Sequence, residues 1–233
     1  MVRRIALRLA WHVVALGGVA IFLGPFVWML SSALKEIGAV FAYPPVMIPD
    51  RPMWQNFRTV VEQIPFLRYF WNSVVISVLS AVGQVLCCSL AGFAFARLTF
   101  HGRDLVFWSL MAALMVPVQV TMIPTYLLFR QFGWLDTYYP LVVPWFLGGA
   151  VGTFLLRQYF SLIPAELDDA AFIDGCGPYR LFLHVYLPLS MPALTTVAIL
   201  SMVAQWNDLI RPVIYLSSTA MFPLTRGVAA LVS

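Results

Sequence analysis

Charge is scarce in this chain. Asp, Glu, Lys and Arg make up 10% of its 233 residues, against roughly 25% in a soluble domain, so a water-surrounded globule is excluded. Lysine is scarcer still, with Lys35 the only one among 14 basic residues. It lies in no GxxxxGK[ST] loop, so the chain has no P-loop cradle for a nucleotide phosphate. Cysteine is limited to Cys87, Cys88 and Cys176. Two neighbours and one distant residue give neither metal-ligand spacing nor a disulfide framework, and all three read as small apolar packing residues. The net charge of +4 is too small and too scattered for a nucleic-acid partner. No internal repeat at a period of about 20 to 50 residues is apparent.

What the chain has in excess is apolar length. Hydrophobic residues reach 61% and the mean hydropathy is +0.87. A membrane-crossing helix needs about 20 mostly apolar residues, and five such stretches are present: 9–30, 70–95, 105–129, 140–160 and 190–216. The expected fold is therefore all-α, a polytopic transmembrane helical bundle in a lipid bilayer. An outer-membrane barrel would show alternating segments of about 10 residues instead. The run behind Arg3, Arg4 and Arg8 exceeds the roughly 7 to 15 residues of a signal-peptide core and has no small-residue cleavage site, so it reads as a retained first helix. With the N-terminus in the cytoplasm, basic residues divide equally between the two sides. The basic N-terminal cluster and the turn carrying Arg97 and Arg103 favour that orientation. Three regions follow: 1–34 as N-terminus and first helix, 35–67 as an extracytoplasmic loop, and 68–233 as the core, with an inner loop at 161–189. Pro44, Pro45, Pro49, Pro52 and Pro65 predict a turn-rich or extended outer loop.

Polar residues inside the spans are few. Ser73, Ser77, Ser80, Gln84, Cys87 and Ala91 recur at steps of three and four, which puts them on one helical face. Such a face meets another helix closely or lines a passage; Ser77 and Gln84 are the candidates for the second role. Gly148 and Gly152 form a GxxxG pair, read as packing. Near the end of the fifth span Asp208 and Arg211 stand three apart and can pair along a helix. Charges in a span point to function or snorkel to water, which leaves Asn207 and Asp208 as further candidates for a path.

Four of the ten acidic residues fall in the segment 164–188, PAELDDAAFIDGCGPYRLFLHVYLP. Pro164 suits a first helical turn, and Glu166, Asp168 and Asp169 complement its positive end. Gly175 is placed to end that helix in the left-handed conformation, and Pro178 opens a second helix. Two chemical readings compete for these acids. Asp168, Asp169 and Asp174 could hold magnesium in a membrane prenyltransferase, but at about 100° per residue Asp174 lies roughly 140° from Asp169 and 240° from Asp168. The carboxylates diverge, and no second acidic cluster completes such a site. The other reading is a docking helix for a basic partner surface.

The spacing here resembles a known family. Asp169-Ala170-Ala171, three residues, Gly175, nine residues, Val185, one residue, Leu187-Pro188 is similar to the EAA motif of ABC importer permeases, EAA-x3-G-x9-I-x-LP. Likeness to the MalG-type permeases of carbohydrate importers continues through AGFAFARLTFHGRD, LDTYYPLVVP, LPLSMPAL and WNDLIRPVIYL. Two positions depart from the pattern: Asp169 stands where Glu is usual, and Cys176 follows Gly175 where the family has a small residue. The resemblance implies a type I importer permease fold and a non-catalytic subunit forming half of a translocation pathway. It assigns ATPase coupling to Glu166, Asp169, Ala170, Ala171, Asp174, Gly175 and Pro188. It also implies a second, MalF-like permease, two ATPase subunits that use ATP and magnesium, and an extracytoplasmic solute-binding protein, with no cofactor on this chain. The location implied is the cytoplasmic membrane of a prokaryote. The family typically has six spans and ends inside, so with five visible the sixth is expected to be missing at the C-terminus, by truncation or by nature, which leaves residue 233 outside. A secondary transporter driven by an ion gradient is the alternative; it would be favoured by inverted repeats or broken spans in matching halves, and neither is evident.

Overall fold

The computed structural model describes residues 2–231, leaving aside the side chains at positions 2–7, 9 and 10. Among the described residues there are helices and no strands. The chain divides into two compact units, 1–65 and 66–233.

In the first unit, helix α1 (Val2–Ala33) runs for about 48 Å at 1.5 Å per residue, longer than the roughly 30 Å apolar layer of a bilayer. Trp11, Leu16, Phe22 and Phe26 are all exposed, as on a helix meant for lipid or another chain. The outer loop differs from the expectation. It holds a helix, α2 (Gln55–Gln63), because the stretch between Pro52 and Pro65 is free of proline. Asn56 of α2 donates to the carbonyls of Ala33 and Lys35, both at 2.9 Å, and the Met53 amide donates to Leu34 at 2.8 Å. These bonds satisfy carbonyls that the end of α1 leaves open. Lys35 is buried, its ammonium 4.2 Å from the Trp28 ring centroid.

The second unit is built around α3 (Phe66–Arg97). It continues through α4 (Arg103–Ala112), α5 (Val118–Gln131), α6 (Tyr139–Val142) and α7 (Ala150–Ser161). Then come α8 (Glu166–Ile173), α9 (Pro178–Leu181), α10 (Leu187–Leu189), α11 (Met191–Trp206), α12 (Ile210–Tyr215) and α13 (Leu224–Ala229). Helix α3 packs chiefly on α7 and α11, and most of the small-residue face is covered: Ser73, Ser77, Ser80 and Gln84 are buried, while Cys87 and Ala91 are only half-buried and the adjacent Cys88 is the fully buried cysteine. A Cβ on Gly92 would come within 3.0 Å of α7 backbone, and one on Gly152 within 2.8 Å of Cys88 Sγ. Small side chains thus let the backbones approach. The GxxxG expectation is corrected in part, because Gly148 lies outside α7 at φ +81°. Gly149, pressed against Gln84, is the packing partner of Gly152.

Three of the expected spans are broken. The third bends by 101° between Arg103–Met115 and Val118–Gln131, because Pro117 offers no N–H and holds Val116 extended (φ −84°, ψ 114°). The fourth breaks at Gly148 and Gly149, between a tight turn of helix at Val143–Leu147 and α7. The Sγ of Cys88 bonds both the amide and the carbonyl of Gly149, at 3.2 and 3.3 Å, and Cys87 donates to Phe146 O. The cysteines therefore satisfy backbone at the break as well as packing. The fifth span stops at Trp206, and α12 is a separate piece. A second pair, Pro178–Leu189 and Met191–Trp206, bends by 78° at Ser190, so the fifth segment begins earlier than the expected 190. Among the described residues three helices, or five segments if each bent pair is counted once, are long and apolar enough to cross a membrane.

The ends of this unit can be told apart from its bonds. Asn72, near the start of α3, donates to the carbonyls of Ala220 and Phe222 at 2.9 Å, while Arg97 at the other end bonds to Phe160. The 25 residues between them correspond to about 37 Å of helix, enough to cross the apolar layer. Asp136, between α5 and α6, accepts bonds from the amides of Ser217 and Ser218 at 2.9 and 2.8 Å. The α4–α5 pair therefore starts near the end of α3 and finishes near its beginning, a bent crossing rather than a loop that returns to its own side.

Candidate functional site

The short helix α8 forms where its sequence says it should. Glu166, Asp168 and Asp169 occupy its first turn, where carboxylates meet the positive helix end. Its C-terminus closes in a complete Schellman motif: the Gly175 amide donates to Phe172 O at 3.0 Å and the Cys176 amide to Ala171 O at 2.9 Å. This needs a left-handed residue after the cap, and Gly175 supplies it at φ +76°. Pro178 then starts α9. The helix continues through a wider π turn at Phe182–Tyr186 into α10, and that turn lets the Leu187 amide bond Phe182 O just ahead of Pro188.

The two faces of α8 differ. Glu166, Asp169, Ala170, Asp174 and Gly175 are exposed, as is Pro188 on α10. Phe172, Ile173 and Tyr179 stand 51%, 86% and 69% exposed beside them. Ala171, assigned by resemblance to the same docking surface, is buried in this chain's own core with Phe93, Phe160, Leu181 and Tyr186. Its small size serves the seating of α8 on the bundle. Asp168 also turns inward. Its Oδ2 lies 3.6 Å from Arg97 Nη1, and its Oδ1 accepts from the Tyr186 hydroxyl at 2.6 Å. Asp168 thus faces inward while Asp169 and Asp174 stay exposed, so the three carboxylates do not converge as a magnesium site would require. Among the described residues no three His, Cys, Asp or Glu side chains gather closely enough to hold a metal.

The family described as the binding-protein-dependent transport system inner membrane component matches residues 89–228, which include α8 and everything that seats it. The chain belongs to that family. It is a membrane permease component of an ABC transport system, not an enzyme. The permease is 31% identical over 228 residues to the sn-glycerol-3-phosphate transport system permease protein UgpE of Yersinia enterocolitica, covering 95% of this chain and 81% of that one. It is 35% identical over 205 residues to a putative ABC transporter permease protein, ORF2, of a Caldicellulosiruptor species, covering 88% and 74%. Its fold is similar to a chain in the crystal structure of a bacterial ABC transporter involved in the import of the acidic polysaccharide alginate, with TM-score 0.81 at 24% identity over 94% of this chain and 78% of that one.

The four residues singled out for a path are not gathered into one site. Ser77 is buried at 1% exposure. Gln84 lines a cavity of about 430 Å³, with Trp145, Gly149, Val197 and Ser201 among its walls. Asn207 and Asp208 lie past the end of α11. Asn207 is exposed and donates to Val203 O. Asp208 pairs with Arg211 at 2.5 Å across the break before α12, not along one continuous helix as the spacing suggests. Arg211 also donates to Gln205 Oε1 at 2.7 Å, and Gln205 Nε2 to Leu141 O at 2.7 Å. The permease thus ties α11, α12 and α6 together by a polar chain that the sequence reading missed. Arg97 and Tyr186 were missed as well. The one available signal was a basic residue at the last position of a long apolar helix.

Proposed function

We propose that this permease is one of two different membrane subunits of an ATP-driven importer for sugars or sugar derivatives, and that α8 with the Gly175 turn docks on a cytoplasmic ATPase. The exposed tip carries this reading. Phe172 and Ile173 at the end of α8 and Tyr179 at the start of α9 flank the Gly175 turn, on the side where α3 ends at Arg97 and Arg97 meets Asp168. Each such side chain is stabilised by roughly 1.5 to 3 kcal/mol when fully buried, so apolar groups clustered there suit a protein partner. Glu166, Asp169 and Asp174 are exposed on the same short segment, and their negative charge suits a basic cleft and speeds its encounter.

In this scheme two ATPase subunits bind ATP and magnesium, their closure displaces the docking helices, and the spans turn from inward to outward access. A MalF-like permease forms the other half of the passage, and an extracytoplasmic binding protein delivers cargo. Gln84 at the cavity and the exposed Asn207 are the residues best placed to meet it. The relatives' names, a glycerol phosphate permease and an alginate importer, support a polyhydroxylated cargo. The N-terminus and α8 lie on the cytoplasmic side of a prokaryotic membrane.

The test is the double variant Asp169→Lys with Gly175→Asp in the importer reconstituted with its own subunits. Membrane insertion is expected to persist while binding-protein-stimulated ATP hydrolysis and uptake are lost. Unaltered uptake would refute the docking role.

A further inference from the structure

Arg97 closes α3 and holds three other parts of the same unit. Its Nη2 donates to Phe160 O at the end of α7, at 2.9 Å, and to Ile163 O in the link that leads to α8. Its Nη1 pairs with Asp168 of α8, whose other oxygen takes the Tyr186 hydroxyl. The guanidinium also lies 5.2 Å from the Tyr186 ring centroid. The Arg97 and Asp168 side chains are 13% and 15% exposed, so this pair is far less screened than a surface pair.

The covalent link from α7 to α8 is only the stretch 162–165, which contains Pro164 and is not part of either helix. Beyond that link α8 is seated by Ala171 in the core and by the buried pair, which resists pivoting because turning α8 away from α3 would separate two charges with little water to replace their contact. Helix α3 packs in turn along α7 and α11, so a displacement that reaches α3 is shared by the bundle.

We propose that Arg97 and Asp168, steadied by Tyr186, form a stiff joint that makes α8 and α3 move as one body, so that force at the docking helix reaches the spans. Arg97 is then a positioning residue for transport. The role rests on the docking reading above.

The test uses the full importer with spin labels at Leu167→Cys on α8 and Leu90→Cys on α3, in a chain whose native cysteines are replaced by Ser. The distance is read with and without ATP and vanadate. With the joint intact the α8–α3 distance stays the same on trapping. In Asp168→Asn it shifts and broadens, and the ATP hydrolysed per cycle of spin-label motion in α3 rises by roughly 2- to 30-fold, the range for residues that carry coupling. Tyr186→Phe gives a smaller shift in the same direction. Asp168→Glu, which keeps the charge, recovers most of the unshifted distance. A distance that moves with the joint intact overturns the proposal, as does one that stays fixed in both Asp168→Asn and Tyr186→Phe. Should Asp168→Asn not assemble, Tyr186→Phe alone decides in the same way. The docking reading is read separately, from cross-linking of Ala170→Cys to the ATPase. No cross-link overturns docking, and a cross-link with a fixed distance in the variants overturns the joint alone.

Discussion

Gly175 has open space around its missing Cβ, so its constraint is the backbone alone: φ is +76°. An L-residue held there costs about 1 to 2 kcal/mol, with Asn the mildest choice. Gly175→Ala is therefore expected to loosen the cap of α8 and speed amide exchange at Cys176, whose N–H bonds Ala171 O, with Gly175→Asn in between. Equal exchange rates in Gly175→Ala and the parent chain would contradict this. The role of Gly175 was legible in the sequence because a helix stop is a local matter, set by the residues next to it. The inward turn of Asp168 was not. It depends on Arg97, 71 positions away, and one helix taken alone cannot say which of two adjacent aspartates faces its neighbour. The same holds for Ala171, whose burial comes from Phe93, Phe160 and Tyr186 on three other segments.

At the scale of elements, the number of apolar segments was readable and their straightness was not. Hydropathy counts apolar residues, whereas the breaks depend on local features such as Pro117 and Gly148, where the backbone is released. One break is held by charge. Arg211 bonds Asp208 and Gln205 across the gap between α11 and α12, and both ions are partly buried. Arg211→Met is expected to lower stability by about 2 kcal/mol, since it leaves a charged acceptor without its donor; thermal unfolding of the detergent-solubilised protein measures it, and an unchanged midpoint would contradict it.

The turn between α5 and α6 is fastened by Asp136, which takes bonds from Ser217 and Ser218. These donors hold its carboxyl below the ordinary carboxylate range, the Ser218 hydroxyl contributing most. Because folding lowers this pKa, the fastening is at full strength above about pH 4. It is lost as pH falls through the lowered value. Amide exchange at Ser217 and Ser218, corrected for the intrinsic pH dependence, is expected to rise only in that acid window. Asp136→Ala, which removes the acceptor, should exchange fast at every pH.

For the whole molecule, the bonds at the two ends of α3 fix which loops share a side of the membrane. Residues 133–138 go with 217–222, and the start of α4 goes with α8. With the native cysteines replaced, Ala170→Cys and Ser218→Cys are expected to react with a membrane-impermeant thiol reagent from opposite sides. Labelling of both from one side would exclude the five-crossing arrangement. The family was legible from the spacing around Gly175, and the helical class from composition. What composition could not supply was the bent third crossing.

That bend has a consequence in hydrogen bonding. Each helix end leaves up to four amides or four carbonyls without partners along its own axis, and acyl chains offer none. At the 101° turn two such ends meet, and Met115 and Val118 beside it are 85% and 60% exposed in this chain. The Val116 and Val120 amides find partners in Ala113 O and Pro117 O beside the turn, and backbone groups there that stay unpaired would be better served by water in a passage or by a neighbouring subunit than by acyl chains.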